Sequence, residues 1–221
     1  MSTVKPAGQG FFDRIPTTDG PNSASACEVL YNEWAATYDQ DLTDPSQGYV
    51  GPVNAAKEIS SNIDAATREQ AIVLDAGCGT GLSGIAVRDA LGPSATIDGI
   101  DISTAMLQIA TKTNIYRSLD TANLSQGLSI SDRTYDAVVC VGTLTGGHVG
   151  PVPALREFVR VCKQGGLVVA TIKESVWASG GYEAEVKHLV DSGIADLRSA
   201  ESVPYREGQG VNAVMLVLVR L

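Results

Sequence analysis

The residues most suited to chemistry lie in a glycine-rich segment, VLDAGCGTG, at residues 73–81. An apolar run ends in Asp75, and glycines follow at alternate positions, Gly77, Gly79 and Gly81, directly before a helical pattern. Glycines lack a Cβ atom, so the backbone can approach a ligand closely and adopt a positive φ. The start of the following helix favours a negative group such as a carboxylate. The segment therefore predicts a ligand-binding loop at the carboxyl end of a buried strand.

A second acidic residue follows at the end of the next apolar run. In the segment IDGIDIS, residues 97–103, Asp101 lies 20 residues beyond Gly81 and Ser103 comes two positions later. A carboxylate at the tip of a strand can accept hydrogen bonds from both hydroxyls of a ribose. Capping of the following helix is the alternative role for Asp101, but Ser103 already suits that role. We therefore expect Asp101 to bind a nucleoside beside the glycine-rich loop.

The elements that hold these residues are predicted from alternating patterns. From residue 71 onward, short apolar runs alternate with helical stripes, which is typical of a mostly parallel sheet with helices on both faces. Only a loop separates the last two runs, so that pair is predicted to be antiparallel. One helical stripe runs from Leu155 to Cys162 and is predicted to end at Gly165 and Gly166. The predicted strands are residues 71–74, 95–100, 114–119, 137–141, 167–172, 194–203 and 213–219.

The domain organisation follows from length and composition. A chain of 221 residues is long enough to bury a full central sheet in one domain. Residues 1–22 carry Gly, Pro, Ser and Thr without periodicity and are predicted to form a flexible tail. Residues 23–221 are expected to form a single domain, in which residues 23–65 make an N-terminal helical cap.

Charge and cysteine usage disfavour several function classes. The formal net charge of −9, without any basic cluster, disfavours nucleic acid and anionic membrane surfaces as partners. The four cysteines form no C-x-x-C pair, so buried thiols are expected and no metal site is predicted. The sequence has neither a signal-like apolar region at its start nor an apolar run of membrane-spanning length. We therefore expect a cytoplasmic protein.

The segment DAGCGTG at residues 75–81 resembles motif I of class I S-adenosylmethionine-dependent methyltransferases. This resemblance implies a Rossmann-like three-layer αβα sandwich of seven strands, mostly parallel with an antiparallel last strand. It also implies S-adenosylmethionine as methyl donor, S-adenosylhomocysteine as product, and a loop that holds the methionine end of the donor. The family uses the residue matching Asp101 to bind the ribose hydroxyls. The dinucleotide fingerprint G-x-G-x-x-G fails because Leu82 occupies its third glycine position, which disfavours an NAD(P)-dependent oxidoreductase.

The same resemblance implies further cofactor contacts. Ile102 and Met106 would flank the adenine, although Met106 equally fits the buried stripe of its helix. Asp120 would reach the exocyclic amine of the adenine, with a solvated loop residue as the alternative. The sulfur of Cys78 is expected to fill space. The complete set of expected cofactor-binding residues is Tyr38, Asp75, Gly77, Cys78, Gly79, Gly81, Asp101, Ile102, Met106, Asp120 and Val141.

Two other segments support the resemblance. The segment YNEWAATYD, residues 31–39, looks like an entry segment of small-molecule methyltransferases, in which the residue matching Tyr38 folds over the cofactor. The segment YDAVVCVGTL, residues 135–144, resembles the fourth strand of the family, whose end borders the transferred methyl group. With GTLTGGH at residues 142–148, the chain is most similar to the methyltransferase-like group named after the Williams–Beuren syndrome chromosomal region.

The expected acceptor is a small molecule that receives a methyl group on an O, N or S atom, less readily on C. His148 follows the fourth strand at the rim of the expected site, and we expect it to act as general base or substrate-positioning residue. His188 lies on the flank of a helical stripe and is expected to be a surface histidine. The segment after the fourth strand lacks the N/D-P-P-Y/F sequence of nucleic-acid amino methyltransferases. A non-methylating scaffold or binding module that keeps the cofactor pocket stays open, as does a monomer or a homodimer.

Overall fold

The computed structural model of the chain describes residues 8–15 and 23–221. None of the described helices is both long and apolar enough to cross a membrane. The strands are β1 (Ile72–Ala76), β2 (Thr96–Asp101), β3 (Tyr116–Thr121), β4 (Tyr135–Leu144), β5 (Cys162–Lys173), β6 (Ala195–Arg206) and β7 (Val211–Arg220). The described helices are α1 (Gln9–Phe12), α2 (Ser23–Trp34), α3 (Tyr38–Thr43), α4 (Gly51–Asn62), α5 (Ala65–Arg68), α6 (Leu82–Leu91), α7 (Thr104–Thr111), α8 (Ala154–Val161) and α9 (Tyr182–Asp191), with short 3₁₀ turns at Glu174–Val176 and Glu207–Gln209.

The strands form one sheet in the order β3-β2-β1-β4-β5-β7-β6. Strand β1 pairs in parallel with both β2 and β4, so these three strands end at the same edge of the sheet. Strand β7 is antiparallel to both β5 and β6. The connection over residues 207–210 is too short for a parallel crossover, which explains the reversal. The predicted Rossmann-like α/β fold with an antiparallel last strand is confirmed.

Two apolar cores cover the two faces of the sheet. On one face, Leu155 and Phe158 of α8 pack in the same cluster as Leu189 of α9. On the other face, Ile59 of α4 packs in a cluster with Val87 of α6. Each side chain of this size contributes about 1.5–3 kcal/mol when it is removed from water. The two helical layers therefore fix the sheet, and with it the strand ends that carry the candidate site.

The end of α8 differs from the sequence-based prediction. Helix α8 stops at Val161, and Cys162 already belongs to β5, in register with Tyr135 of β4. Gly165, with a φ of +76°, and Gly166 lie within this strand segment and do not end the helix. The amide of Cys162 still donates to the carbonyl oxygen of Phe158, but the carbonyl oxygen of Val161 accepts from the amide of Thr134, directly before β4, at 2.8 Å. The apolar spacing that includes Cys162 thus reflects burial in the sheet, not another helical turn.

Residues 8–15 differ from the predicted flexible tail because they include α1. The ring of Phe11 stacks on Trp34 with 5.1 Å between centroids, and Phe12 meets the same indole edge-on at 4.9 Å. Because Gly and Pro residues surround these two phenylalanines, the sequence shows no helical periodicity there and this contact was not predicted. The remainder of the predicted tail, residues 1–7 and 16–22, lies outside the described residues.

Candidate active site

A cavity opens at the carboxyl ends of β1, β2 and β4 and contains about 660 Å³ of space free of protein atoms. Parallel neighbours bring their carboxyl ends to one edge of a sheet, which is the general position of ligand sites in open α/β folds. Most of the expected cofactor-binding residues line this first cavity, namely Tyr38, Gly77, Gly79, Asp101, Ile102, Met106 and Val141. The strand-end pattern therefore brings together residues that are far apart in the sequence.

The glycine-rich loop turns tightly between β1 and α6. Gly77 and Gly79 have positive φ angles of +75° and +54°. A Cβ atom on Gly77 would collide with Oγ1 of Thr143, whereas one on Gly79 would meet no atom within 4 Å. The amides of Gly77 and Cys78 donate to the carbonyl oxygen of Ile100 at 2.8 and 3.0 Å. Gly77 thus permits close packing against β4, and Gly79 leaves backbone exposed to a ligand.

Asp101 joins the end of β2 to this loop. Its Oδ2 accepts a hydrogen bond from the amide of Gly79, and its Oδ1 accepts one from the amide of Ser103, both at 2.8 Å. Oγ of Ser103 caps α7 by accepting from the amide of Met106 at 3.1 Å, as predicted. Burial raises the pKa of Asp101, and the amides of Ser103 and Gly79 oppose that rise. A carboxylate has about four lone-pair sites, so these bonds leave capacity for ligand hydroxyls.

Asp75 lies beneath the loop and does not line the cavity. Its fully buried carboxylate accepts hydrogen bonds from Oγ of Ser83, at 2.8 and 2.9 Å, and from the Tyr116 hydroxyl at 2.7 Å. Burial raises the pKa of Asp75 to about 6, although the donors Tyr116 and Ser83 lower it. Asp75 was expected to contact the cofactor directly. In the structure its carboxylate instead links β1 to α6 and β3 through the hydroxyls of Ser83 and Tyr116.

Cys78 and Gly81 are also not among the residues that line the first cavity. The thiol of Cys78 is buried, and a Cβ atom on Gly99 of β2 would lie 3.0 Å from its sulfur, so it fills space as expected. Gly81 has a φ of +105°, and a Cβ atom there would lie 3.3 Å from the Tyr116 ring. Both residues therefore pack against neighbouring parts of the fold, Cys78 against β2 and Gly81 against Tyr116. No group of three or more His, Cys, Asp or Glu in the described part of the chain is placed to hold a metal ion.

The residue expected near the adenine, Asp120, is exposed on β3 and does not line the first cavity. Strand β3 is the outermost strand at its side of the sheet, so an acidic side chain there is readily solvated. Asn123 and Leu124, which follow the strand, line the cavity instead. Sequence reasoning missed Asn123 because an irregular loop after an edge strand has no periodicity to mark it.

Residues 31–39, in the segment predicted to form a helical cap, bond to the glycine-rich loop and to the start of α7. The hydroxyl of Thr80, in the glycine-rich loop, donates to Oδ1 of Asp39 at 2.5 Å. On the other side, Oδ1 of Asn32 accepts from Oγ of Ser103 at 2.7 Å and from the amide of Ala105 at 3.2 Å. The segment 31–39 is therefore held across the cavity by polar contacts with two strand ends.

A second cavity, with about 1190 Å³ of space free of protein atoms, adjoins the first. Tyr31, Tyr38, Gly142 and His148 line both cavities, and we call these four residues the junction. The amide of Gly142, at the end of β4, donates to Oγ1 of Thr171 at 2.9 Å. The junction therefore borders both spaces, and Gly142 places it at the end of the fourth strand.

His148 lies at this junction with only 7% of its surface exposed. Its Nε2 is 3.4 Å from the Tyr31 hydroxyl, and the two rings meet edge-on at 5.5 Å between centroids. Burial raises the pKa of Tyr31, so this phenol stays protonated. A protonated hydroxyl and an imidazole in contact can orient an acceptor atom and take up a proton. His188, by contrast, is exposed on α9, as predicted.

Residues 73–166 match the model of a methyltransferase domain family. Methyltransferase-like protein 27 of Homo sapiens is 34% identical over 146 residues, which cover 65% of this chain and 56% of that protein. The chain thus spans little more than half the length of this relative. The match agrees with the resemblance to the Williams–Beuren syndrome region group.

Two solved structures share the fold at low sequence identity. Magnesium protoporphyrin IX methyltransferase from Synechocystis PCC 6803, with bound SAH, has a TM-score of 0.65 and 16% identity over 90% of this chain and 100% of that chain. The [4+2]-cyclase SpnF has a TM-score of 0.65 and 15% identity over 92% of this chain and 98% of that chain. At these identities the two structures show the shared fold alone, and the methyltransferase domain match at residues 73–166 covers less than half of the chain.

Proposed function

We propose that the chain transfers a methyl group from S-adenosylmethionine to an O, N or S atom, less readily C, of a small molecule. One observation carries this proposal: two separate cavities meet at a junction of Tyr31, Tyr38, Gly142 and His148. A two-substrate displacement needs two sites with a shared boundary, because donor and acceptor must be aligned at close range.

The residues of the first cavity fit an S-adenosylmethionine donor. Asp101 retains acceptor capacity for the ribose hydroxyls, and the exposed backbone at Gly79 can lie against the methionine end. Ile102 and Met106 supply apolar surface for the adenine, and Asn123 offers a polar edge. When bound, the sulfonium supplies an electrophilic methyl group.

The second cavity supports a small-molecule acceptor. It lies between the helical cap and the ends of β5, β6 and β7, with Trp34 and Leu42 of the cap among its walls. Its walls combine aromatic and polar side chains, which suits a small organic acceptor. The formal net charge of −9 also disfavours a polyanionic nucleic acid as partner.

His148 is the proposed general base or positioning residue. It is buried at the junction and contacts the Tyr31 hydroxyl, so it borders both the donor and the acceptor spaces. A hydroxyl or amine acceptor loses a proton as the new bond to carbon forms, and a neutral imidazole can accept it. Most of the rate enhancement would still come from alignment of the two substrates in their cavities.

A non-methylating scaffold is the second candidate, and one comparison favours it. The fold is shared at the same TM-score by a [4+2]-cyclase, so the fold by itself is compatible with chemistry other than methyl transfer. Both candidates require the first cavity to bind S-adenosylmethionine. Methylation further requires that the methyl group is transferred from the donor to an acceptor.

A transfer experiment with labelled S-adenosylmethionine distinguishes the two candidates. The full chain is incubated with methyl-labelled donor and a small-molecule metabolite extract, and label is followed into products. Methylation predicts label in a low-molecular-weight product together with S-adenosylhomocysteine. Saturable donor binding without any labelled product would support the scaffold. Binding of NAD in place of the donor would contradict both.

We further propose a cytoplasmic monomer or homodimer. The four cysteine thiols are buried, which suits a reducing compartment. Sedimentation of the purified chain would distinguish the two oligomeric states.

A further inference from the structure

The second cavity carries a charge opposite to that of the whole chain. The formal net charge is −9, yet the fully charged side chains that line this cavity are Lys173 and Arg206, and no Asp or Glu is among its described lining residues. In an acidic protein, two cations in one recess create a local positive potential that attracts an anionic ligand.

The sheet register brings these two cations to the same end of the recess. Lys173 of β5 pairs with Ala213 of β7, and Arg206 of β6 pairs with Val211 of the same strand. Ala213 and Val211 are two residues apart and so share one face of β7. Lys173 and Arg206 therefore flank β7 on opposite sides, over the same part of the cavity.

Neither cation is neutralised by a carboxylate in the described part of the chain. Arg206 donates from Nη1 to Oε1 of Gln47 at 3.2 Å, and its guanidinium lies over the Phe12 ring at 4.1 Å, contacts that leave donors of the fork available. Lys173 has no ion pair with a described acidic residue. Four other cations of the fold are held by carboxylates, namely Arg117 by Asp98, Arg156 by Glu185, Arg160 by Glu157 and Lys163 by Asp136.

Between the cations and the junction, the walls are aromatic. Tyr49 and Tyr205 meet edge-on at 5.3 Å between centroids, with 3.4 Å between their hydroxyl oxygens. Trp34 and Tyr38 of the cap face the same space. Burial raises the pKa of Tyr205, so this wall stays uncharged. Such a surface favours a ligand with a flat apolar or aromatic ring over a strongly hydrated ligand.

We propose that the acceptor is an aromatic carboxylate whose anionic group binds Lys173 and Arg206 while its nucleophilic atom reaches the junction. This inference rests on the proposed methyltransferase function and adds the class and orientation of the acceptor. The planar fork of an arginine matches the two oxygens of a carboxylate, and an adjacent lysine adds a point charge. In this orientation, the carboxylate of the ligand and His148 lie at opposite ends of the ligand.

The test uses binding of the full chain to 3-(4-hydroxyphenyl)propanoate and to its neutral amide, measured by calorimetry with S-adenosylhomocysteine present. We expect the carboxylate to bind about tenfold or more tightly than the amide, as for one charge-assisted hydrogen bond. Lys173→Gln and Arg206→Gln should each remove most of this preference. The matched control Lys187→Gln, on an exposed face of α9, should leave it unchanged.

Several results would overturn the proposal. Equal binding of carboxylate and amide, no binding of the carboxylate, or full preference in both glutamine variants would each do so. Arg206→Lys keeps the charge and should retain part of the preference, which separates charge from folding effects. Failure of the proposed function has a different signature, because the transfer experiment with labelled S-adenosylmethionine would then give no labelled product, whatever the preference for the carboxylate.

Discussion

The backbone amide of Gly79 donates to Oδ2 of Asp101 at 2.8 Å, which joins the glycine-rich loop to the end of the neighbouring strand. The bond forms because β1 and β2 are parallel neighbours, with Ala76 in register with Ile100. The loop and the carboxylate therefore share one wall of the first cavity. A change in the loop can therefore alter ligand binding by Asp101, and a change at Asp101 can alter ligand binding by the loop.

Gly77 is expected to be intolerant of a side chain. Its φ is +75°, and a Cβ atom there would collide with Thr143, so Gly77→Ala should lower the free energy of unfolding by about 2–4 kcal/mol. Gly210→Ala is the control, since Gly210 is in the left-handed helical region with a φ of +61° and has open space around a Cβ atom. It should cost about 1–2 kcal/mol. Urea denaturation of both variants measures the difference, and equal losses would contradict the packing argument.

Asp75 should make stability depend on pH. Its pKa is raised to about 6 in the folded chain from 3.8, so its stability contribution is present below about pH 4 and is lost as pH rises through 6. The unfolding free energy of the native chain, minus that of Asp75→Asn, should therefore fall by up to about 3 kcal/mol across this window. Denaturant titrations at several pH values measure it. Tyr116→Phe removes a donor to the carboxylate and should move the window to higher pH, and no movement would contradict the assignment.

The bond between Thr80 and Asp39 should contribute to ligand affinity. It holds the helical cap against the glycine-rich loop at 2.5 Å. Thr80→Val keeps the shape but removes the donor, so affinity for S-adenosylhomocysteine should fall about three- to tenfold. Thr37→Val is the control, because Oγ1 of Thr37 bonds to Asp41 within the cap at 3.0 Å. If both variants bind like the native chain, the cap does not close the site through this bond.

His148 should affect turnover more than acceptor binding. Once a methylated product is identified, His148→Ala should lower kcat by about a hundredfold if the residue acts as general base. The matched variant His188→Ala, at an exposed position on α9, should retain native turnover. Unchanged kcat in His148→Ala would remove this residue from the mechanism. An increase in KM alone would assign it to positioning.

The sequence predicted the strands and the loop at their ends because apolar periodicity and glycine spacing have direct structural causes. It could not predict on which side of the loop each residue faces. Asp75 turns inward because Ser83 and Tyr116 supply hydroxyl donors from α6 and β3. The second cavity was also not predicted. Its walls come from the cap and from β5, β6 and β7, and no local motif links Arg206 to Lys173.

Calorimetric titration of S-adenosylhomocysteine into the native chain and into Asp101→Ala tests the central claim most directly, with Asp120→Ala as the control. Asp101 lines the first cavity and Asp120 is exposed outside it. We predict saturable one-site binding to the native chain and to Asp120→Ala, and a loss of at least about tenfold in Asp101→Ala. Native affinity in Asp101→Ala, or no binding to the native chain, would contradict the account.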